Sequence, residues 1–251
     1  MSHEKIYDPY FWVGIYNLIA NEIPLNFDDD YLSSKILDLL LSNKALVSDE
    51  YLKDLISYRD VLIFGPLMIS KEVLTILNNV KHDYLLVAVD GTVKAFNEVG
   101  LRPDIVVTDL DGDPRYLVKS CKDRTVCVVH AHGDNVDKLM ALLPKFNGPI
   151  VGTSQVPPYG RLRFYGGFTD GDRALYFITY YKPRRVIVVG MDFTTKVIGA
   201  YSKPVNTALM RYVKIKKLMW GKYLIELLSR YVGNLFRFKT LGLNLPEYVL
   251  Y

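Results

Sequence analysis

Six short runs rich in branched apolar residues recur through the middle of the chain, at 61–65, 85–89, 104–108, 125–130, 149–153 and 186–190. Segments with helical spacing separate them, near 69–79, 92–99, 114–120, 134–143 and 170–181. Runs this short and this apolar suit strands buried on both faces. Their alternation with helices predicts an α/β fold: a mostly parallel sheet covered by helices on each side.

The most informative unit is Tyr84 to Pro114, YLLVAVDGTVKAFNEVGLRPDIVVTDLDGDP. It reads as strand, helix, strand. The first strand closes on Asp90-Gly91, Val93, Phe96 and Val99 share one helical face, and Gly100 stops the helix. In parallel sheets of such units, ligands bind at the carboxyl ends of the strands, where Asp90, Asp109, Asp111 and Asp113 fall. If the strand stays extended past Thr108, Asp109 and Asp111 point the same way and can offer oxygens to one cation, which makes them the candidate magnesium ligands. Asp-Gly is also ordinary turn chemistry, but converging carboxylates repel unless a cation or protons intervene.

The chain has 251 residues, 50% of them hydrophobic, enough for a full core. The sequence divides into an N-terminal helical segment (1–60), an α/β catalytic region (61–195) and a C-terminal helical segment (196–251). Tyr7 to Glu22, Phe27 to Asn43 and a stretch from Ser48 form the first segment, read as a cap or lid. In the last, Val205 to Tyr231 has an apolar stripe with Arg211, Lys214, Lys217 and Lys222 off it; such a face is usually only solvated, with phosphate contact as the minority reading. The net charge of +4 suits small polyanions such as nucleotides and falls short of a nucleic-acid binder. No apolar run approaches the ~20 residues that span a bilayer, and residues 1–20 lack the pattern of a secretory signal. Cys121 and Cys127 flank one strand start and make neither a disulfide framework nor a CxxC metal pair, so a reducing, cytoplasmic setting is expected. The oligomeric state is open, a homodimer included.

Neither GxxxxGK[ST] nor GxGxxG occurs, so any ATP is held by metal, scattered basic residues and backbone amides. Gly65-Pro66, after the first strand, could bring backbone close to a ligand, although a turn there needs none. HAHGDN, His130 to Asn135, resembles most of the HxHxDH zinc motif, but no histidine follows His132 to complete a zinc site. His132, Asp134 and Asn135 either touch substrate or phosphate or form a strand-end turn that caps the next helix. In GGFTDGDRA, Gly166 to Ala174, Thr169 with Asp172 fits a capping box, while Asp170, Asp172 and Arg173 at one helix start also suit metal and phosphates.

Taken in order and spacing, VDG, RPDIVVTDLDGD, HAHGDN, GFTDGDRA and VIVVGMDF resemble the archaeal 6-hydroxymethyl-7,8-dihydropterin diphosphokinase family, over roughly residues 60 to 195. That family is in turn distantly similar to thiamine diphosphokinases, whose PD…GD.DS segment resembles Pro103, Asp104 and TDLDGD here. The resemblance implies a Rossmann-like fold, Mg²⁺, ATP as donor, a pterin as acceptor and AMP as leaving group. It points to Asp90, Asp109, Asp111, His132, Asp134, Asn135, Thr169, Asp170 and Asp172 as site residues. One of Asp90, Asp134 or Asp170 would orient or deprotonate the attacking hydroxyl, and Arg173, Arg163 and Lys203 are candidates for the phosphates. The all-β second domain of the thiamine enzymes has no counterpart after residue 195, which argues against thiamine as acceptor.

Overall fold

The computed structural model describes residues 3–66, 78–79, 81–194, 206–238 and 240–248. Three helices come first: α1 (Pro9–Ala20), α2 (Phe27–Leu41) and α3 (Asp49–Ile56). Their starts follow from local chemistry, since the side chains of Asp8, Asn26 and Ser48 accept the first free backbone N–H groups of the three helices. Then come β1 (Asp60–Phe64), β2 (Tyr84–Val89), α4 (Thr92–Glu98), β3 (Ile105–Thr108), α5 (Pro114–Ser120), β4 (Val126–Ala131), α6 (Val136–Leu142) and β5 (Ile150–Ser154). α7 (Asp170–Tyr180), β6 (Arg185–Val189), α8 (Ala208–Ser229) and β7 (Leu235–Phe238) follow. Most of the helix expected near 69–79 lies outside the described residues, as does Lys203.

All seven strands are parallel, in the order β5-β4-β3-β2-β1-β6-β7. The chain steps outward from β1 to β5, then crosses back to lay β6 on the other side of β1. That reversal leaves a crevice outside the carboxyl ends of the strands.

Strand alternation sorts the core into two layers. Val61, Ile63, Val87, Val107 and Val188 face α1, α7 and the C-terminal half of α8, whereas Leu62, Phe64, Leu86, Val106 and Val129 face α2, α4, α5 and α6. Phe96 and Leu37 are fully buried in the second layer, and each contributes roughly 2 kcal/mol through lost apolar surface. On the first layer Leu224 and Leu228 are buried, and the Tyr176 hydroxyl donates to the Leu224 carbonyl at 3.0 Å, tying α8 to α7.

Two features depart from expectation. The segment after residue 196 is not helical throughout, because β7 pairs with β6 from Val186↔Leu235 to Val189↔Phe238 and extends the sheet. Cys121 and Cys127 are joined in a disulfide, with Cα atoms 5.7 Å apart. Cys121 is the residue after α5 and Cys127 lies on β4, so the short connection folds one onto the other. The cysteines therefore give no support to a reducing setting; intracellular disulfides are well known from hyperthermophiles. Closing so short a loop stabilises the chain by about 2 kcal/mol on chain-entropy grounds. Urea unfolding with and without a thiol-free reductant should show a loss of that size, and coincident curves would show that the bond does not constrain the unfolded chain. Among the described residues no helix is long and apolar enough to cross a membrane.

Candidate active site

The carboxyl edge of the sheet opens into a cavity of about 710 Å³. Its floor is made by residues following successive strands: Pro66 after β1, Asp90 after β2, Asp109 after β3, His132 after β4, Gln155 after β5 and Met191 after β6. One wall comes from Pro24, Leu25, Asn26, Asp29 and Asp30, in the link from α1 to α2 and the first turn of α2, and another from α8.

Asp90 sits in the turn that ends β2 with φ +37°, a left-handed conformation unusual for a residue with a side chain. Its Oδ1 accepts from the Thr108 hydroxyl at 2.7 Å and from the Gly112 amide at 3.0 Å. A Cβ at position 112 would lie 3.3 Å from that same oxygen, so the glycine permits the close approach.

Leu110 explains why the neighbouring acids part company. Its φ is +69° and its side chain is buried in the second core layer, so the extension of β3 ends at Thr108 and the two-residue alternation is lost. Asp109 turns into the cavity floor, while Asp111 forms an ion pair with Lys138 of α6. Asp113 caps α5, accepting from the Arg115 amide at 3.0 Å and pairing with the Arg115 guanidinium.

Asp109 is instead joined by Asp90 and Asp170. Each offers one carboxylate oxygen, and the three oxygens lie within 4.8 Å of one another. Asp170 arrives as the first residue of α7, set by the turn Gly166-Gly167, whose φ values of +93° and +88° suit glycine alone. Hard oxygen donors at this spacing fit a hard divalent cation such as Mg²⁺ and ill suit zinc. Among the described residues no other group of histidine, cysteine and acidic side chains converges this closely.

Surrounding residues hold the triad in place. Asp134 N–H points at His132 Nδ1 (3.3 Å), which leaves Nε2 to carry the proton and donate to Asp109 Oδ2 at 3.3 Å. Asn135 has no exposed surface; its amide donates to the carbonyls of Asp109 (2.8 Å) and His130 (2.7 Å) and its oxygen accepts from the His132 amide (3.1 Å). It braces the turn and does not line the cavity. Asp172 is equally buried, accepting from the amides of Phe168 and Thr169 at 2.6 and 2.8 Å, so it caps α7. Thr169 lines the cavity beside it and Asp134 lies at the exposed rim, whereas Gly65 lies behind the wall, where a Cβ would collide with Met191. Arg173 enters the cavity, its guanidinium fixed by Asp170 at 3.0 Å and Gln155 at 2.7 Å. Arg163 is engaged elsewhere, by the Val47 carbonyl and Asp49.

Two contributors escape a reading of the sequence: Asp30 and Gln155. Asp30 takes the Gly133 amide at 2.7 Å and the Tyr16 hydroxyl at 2.8 Å, so α2 clamps the HAHGDN turn as part of the site's framework. Lys214 and Lys217, off-stripe residues for which phosphate contact is the minority reading of the sequence, both line the cavity.

Charge crowding divides the triad. Burial pushes the Asp90 pKa up to about 7, with the Asp109 charge adding to it. Burial raises Asp170 well above the usual carboxylate range, and again Asp109 adds to the effect. Burial also acts on Asp109, but the hydrogen bond from His132, the Arg173 charge and the Asp111 amide outweigh it and hold Asp109 well below that range. A raised carboxyl pKa contributes stability that is fully present below about 4 and lost as pH rises through the folded value. Asp170→Asn should therefore raise the melting temperature of the metal-free protein, by more at pH 8 than at pH 5, and added Mg²⁺ should favour the wild type. Calorimetry at the two pH values checks this; a variant less stable at both would show that Asp170 is needed as an anion for folding.

A parallel α/β sheet that gathers three carboxylates, an arginine and two lysines in one cleft belongs to the class of proteins that handle small, multiply charged ligands at a topological switch point. The family model described as 6-hydroxymethylpterin diphosphokinase MptE-like matches residues 47–197. The chain belongs to this family. Three relatives carry the name 6-hydroxymethyl-7,8-dihydropterin pyrophosphokinase. That of Methanocaldococcus jannaschii is 37% identical, covering 87% of this chain and 94% of the relative. That of Pyrococcus furiosus is 36% identical (87% and 93%), and that of Methanothermobacter thermautotrophicus 31% (87% and 94%). Among solved structures, the MAf glycosyltransferase of Magnetospirillum magneticum AMB-1 aligns with a TM-score of 0.49 at 9% identity, covering 87% of this chain and 37% of its own.

Proposed function

We propose that this protein transfers the β,γ-diphosphoryl group of ATP to the hydroxymethyl group of 6-hydroxymethyl-7,8-dihydropterin and releases AMP. The observation that carries the reading is the carboxylate triad in a ligand-sized cavity, in a chain whose pterin diphosphokinase relatives align along nearly their whole length. Asp90, Asp109 and Asp170 would hold Mg²⁺, with Asp111, paired to Lys138, one step removed. When bound, the ion supplies charge neutralisation on phosphoryl oxygens, the main requirement of this chemistry besides in-line positioning.

The acceptor oxygen attacks the β-phosphorus. The bond from that phosphorus to the oxygen bridging to the α-phosphorus breaks, AMP leaves with the electron pair, and the hydroxyl proton passes to a carboxylate of the cavity, a role that Asp134 at the rim would fill if Asp90 and Asp170 hold the metal. Arg173, locked by Asp170 and Gln155, sets a fixed positive charge beside the reacting phosphates. His132 and Asn135 act on Asp109, holding its carboxylate and its backbone in position. Phe168, Met191 and Phe193, with Leu25 opposite, give the cavity apolar surface against which flat heteroaromatic rings pack.

The test is an acceptor panel. Purified protein with Mg-ATP should form AMP with 6-hydroxymethyl-7,8-dihydropterin, form none with thiamine or without acceptor, stop on chelation and resume when Mg²⁺ is restored. Equal turnover of thiamine, or ATP breakdown without acceptor, would refute the assignment.

A further inference from the structure

The family match ends at residue 197, yet one wall of the cavity is built beyond it, by α8. Lys214 and Lys217 are three residues apart, so they stand one turn apart on one face of this helix, and both line the cavity. Other lysines of α8 are neutralised on the protein surface: Lys216 pairs with Glu22 at 3.1 Å and Lys222 with Glu226 at 3.8 Å. Among the described residues Lys214 and Lys217 have no such partner; Lys217 lies 5.9 Å from the ring of Phe168. Like charges at this spacing repel, and Lys214 is partly withdrawn from water as well. The charges that act on Lys214 from across the cavity are Asp170, Asp109 and Asp90. Two unneutralised cations thus face three carboxylates with a ligand-sized gap between, in a chain with no phosphate-binding glycine loop.

A polyphosphate with a metal on one side fits that gap and satisfies both sides. We infer that Lys214 and Lys217 bind the transferred β- and γ-phosphoryl groups, so that the phosphate chain of the donor lies between α8 and the carboxylate triad. The inference rests on the diphosphoryl-transfer reading and makes the C-terminal helix part of the active site. Lysine ammonium groups are point charges with three donors, suited to a group that stays bound as its ester partner changes from AMP to the acceptor.

The test uses the full chain and variants Lys214→Met, Lys217→Met and Lys217→Arg, with Lys222→Met as a surface control. Titration with inorganic diphosphate in Mg²⁺ should show affinity lowered roughly tenfold or more in each cavity methionine variant. Lys217→Arg should recover most of it and Lys222→Met should match the wild type. AMP affinity, the KM for the acceptor and the melting temperature should stay within about twofold or a few degrees of wild type, while kcat falls with diphosphate affinity. Methionine variants that bind diphosphate as the wild type does, or that lose AMP and diphosphate affinity equally, would overturn the inference. A wild type that forms no AMP from ATP and the pterin would overturn the underlying reaction instead, and the diphosphate titration would still decide the lysines.

Discussion

Asp109→Asn is expected to lower kcat by about a thousandfold, the scale on which loss of a principal charge-stabilising group is felt. Asp109 is the middle member of the triad and the one its surroundings keep ionised: His132 donates to it, and Arg173 and the Asp111 amide lie close by. The amide is nearly isosteric, so the turn through Leu110 and the Asn135 bond to the Asp109 carbonyl remain. What disappears is the anion of the triad, whose charge also helps to raise the pKa values of Asp90 and Asp170. A depressed carboxyl pKa contributes stability above about 4 that is lost as pH falls below it, so the variant should also be slightly less stable at neutral pH, unlike Asp170→Asn. Steady-state AMP release at saturating ATP reads the first effect and calorimetry the second. Turnover within a few-fold of wild type would remove Asp109 from the metal site.

Asn135→Ala should destabilise the protein by about 3 kcal/mol and take most of the activity with it. The side chain is fully buried and bridges the turns after β3 and β4, so its deletion strands the buried carbonyl of His130, the carbonyl of Asp109 and the amide of His132. The Ser33 hydroxyl, 3.3 Å from the Asn135 oxygen, loses its link from α2 as well. With these bonds gone, neither Asp109 nor His132 is held in place. Urea unfolding measures the stability loss, and kcat measured well below the melting temperature separates it from the catalytic effect. A loss under ~0.5 kcal/mol, the range of ordinary surface changes, would contradict the bracing role.

The sheet was legible because each inner strand is buried on both faces and so is written as a continuous apolar run. β7 was not: LFRF is four residues long, mixes a charge with aromatics, and lies at the sheet edge. The helix starts at Ser48 and Thr169 could be read because capping is local chemistry. The same locality hid which acids serve the site, since the sequence offers Asp113 and Asp172 on equal terms with Asp90 and Asp170. The fold shows Asp113 and Asp172 spent on helix caps, a role the capping box of Thr169 already offered for Asp172, and Asp90 and Asp170 turned toward Asp109. Asp109 and Asp111 both line the cavity, but the positive φ of Leu110, whose apolar side chain is drawn into the core, turns Asp111 toward Lys138. The disulfide depends on a tertiary approach between α5 and β4 that no spacing in the sequence discloses, whereas Lys214 and Lys217 are legible as an off-stripe pair and only the placing of α8 shows that both line the cavity.

Phosphorus NMR of a reaction containing Mg-ATP and 6-hydroxymethyl-7,8-dihydropterin tests the central claim most directly, because it reports which phosphorus is attacked. Attack on the β-phosphorus requires AMP and a diphosphate monoester of the pterin to grow together in equal amounts, with no ADP. Growth of ADP with a monophosphate ester would contradict the account, leaving the fold and cavity as described but assigning the triad to a different transfer.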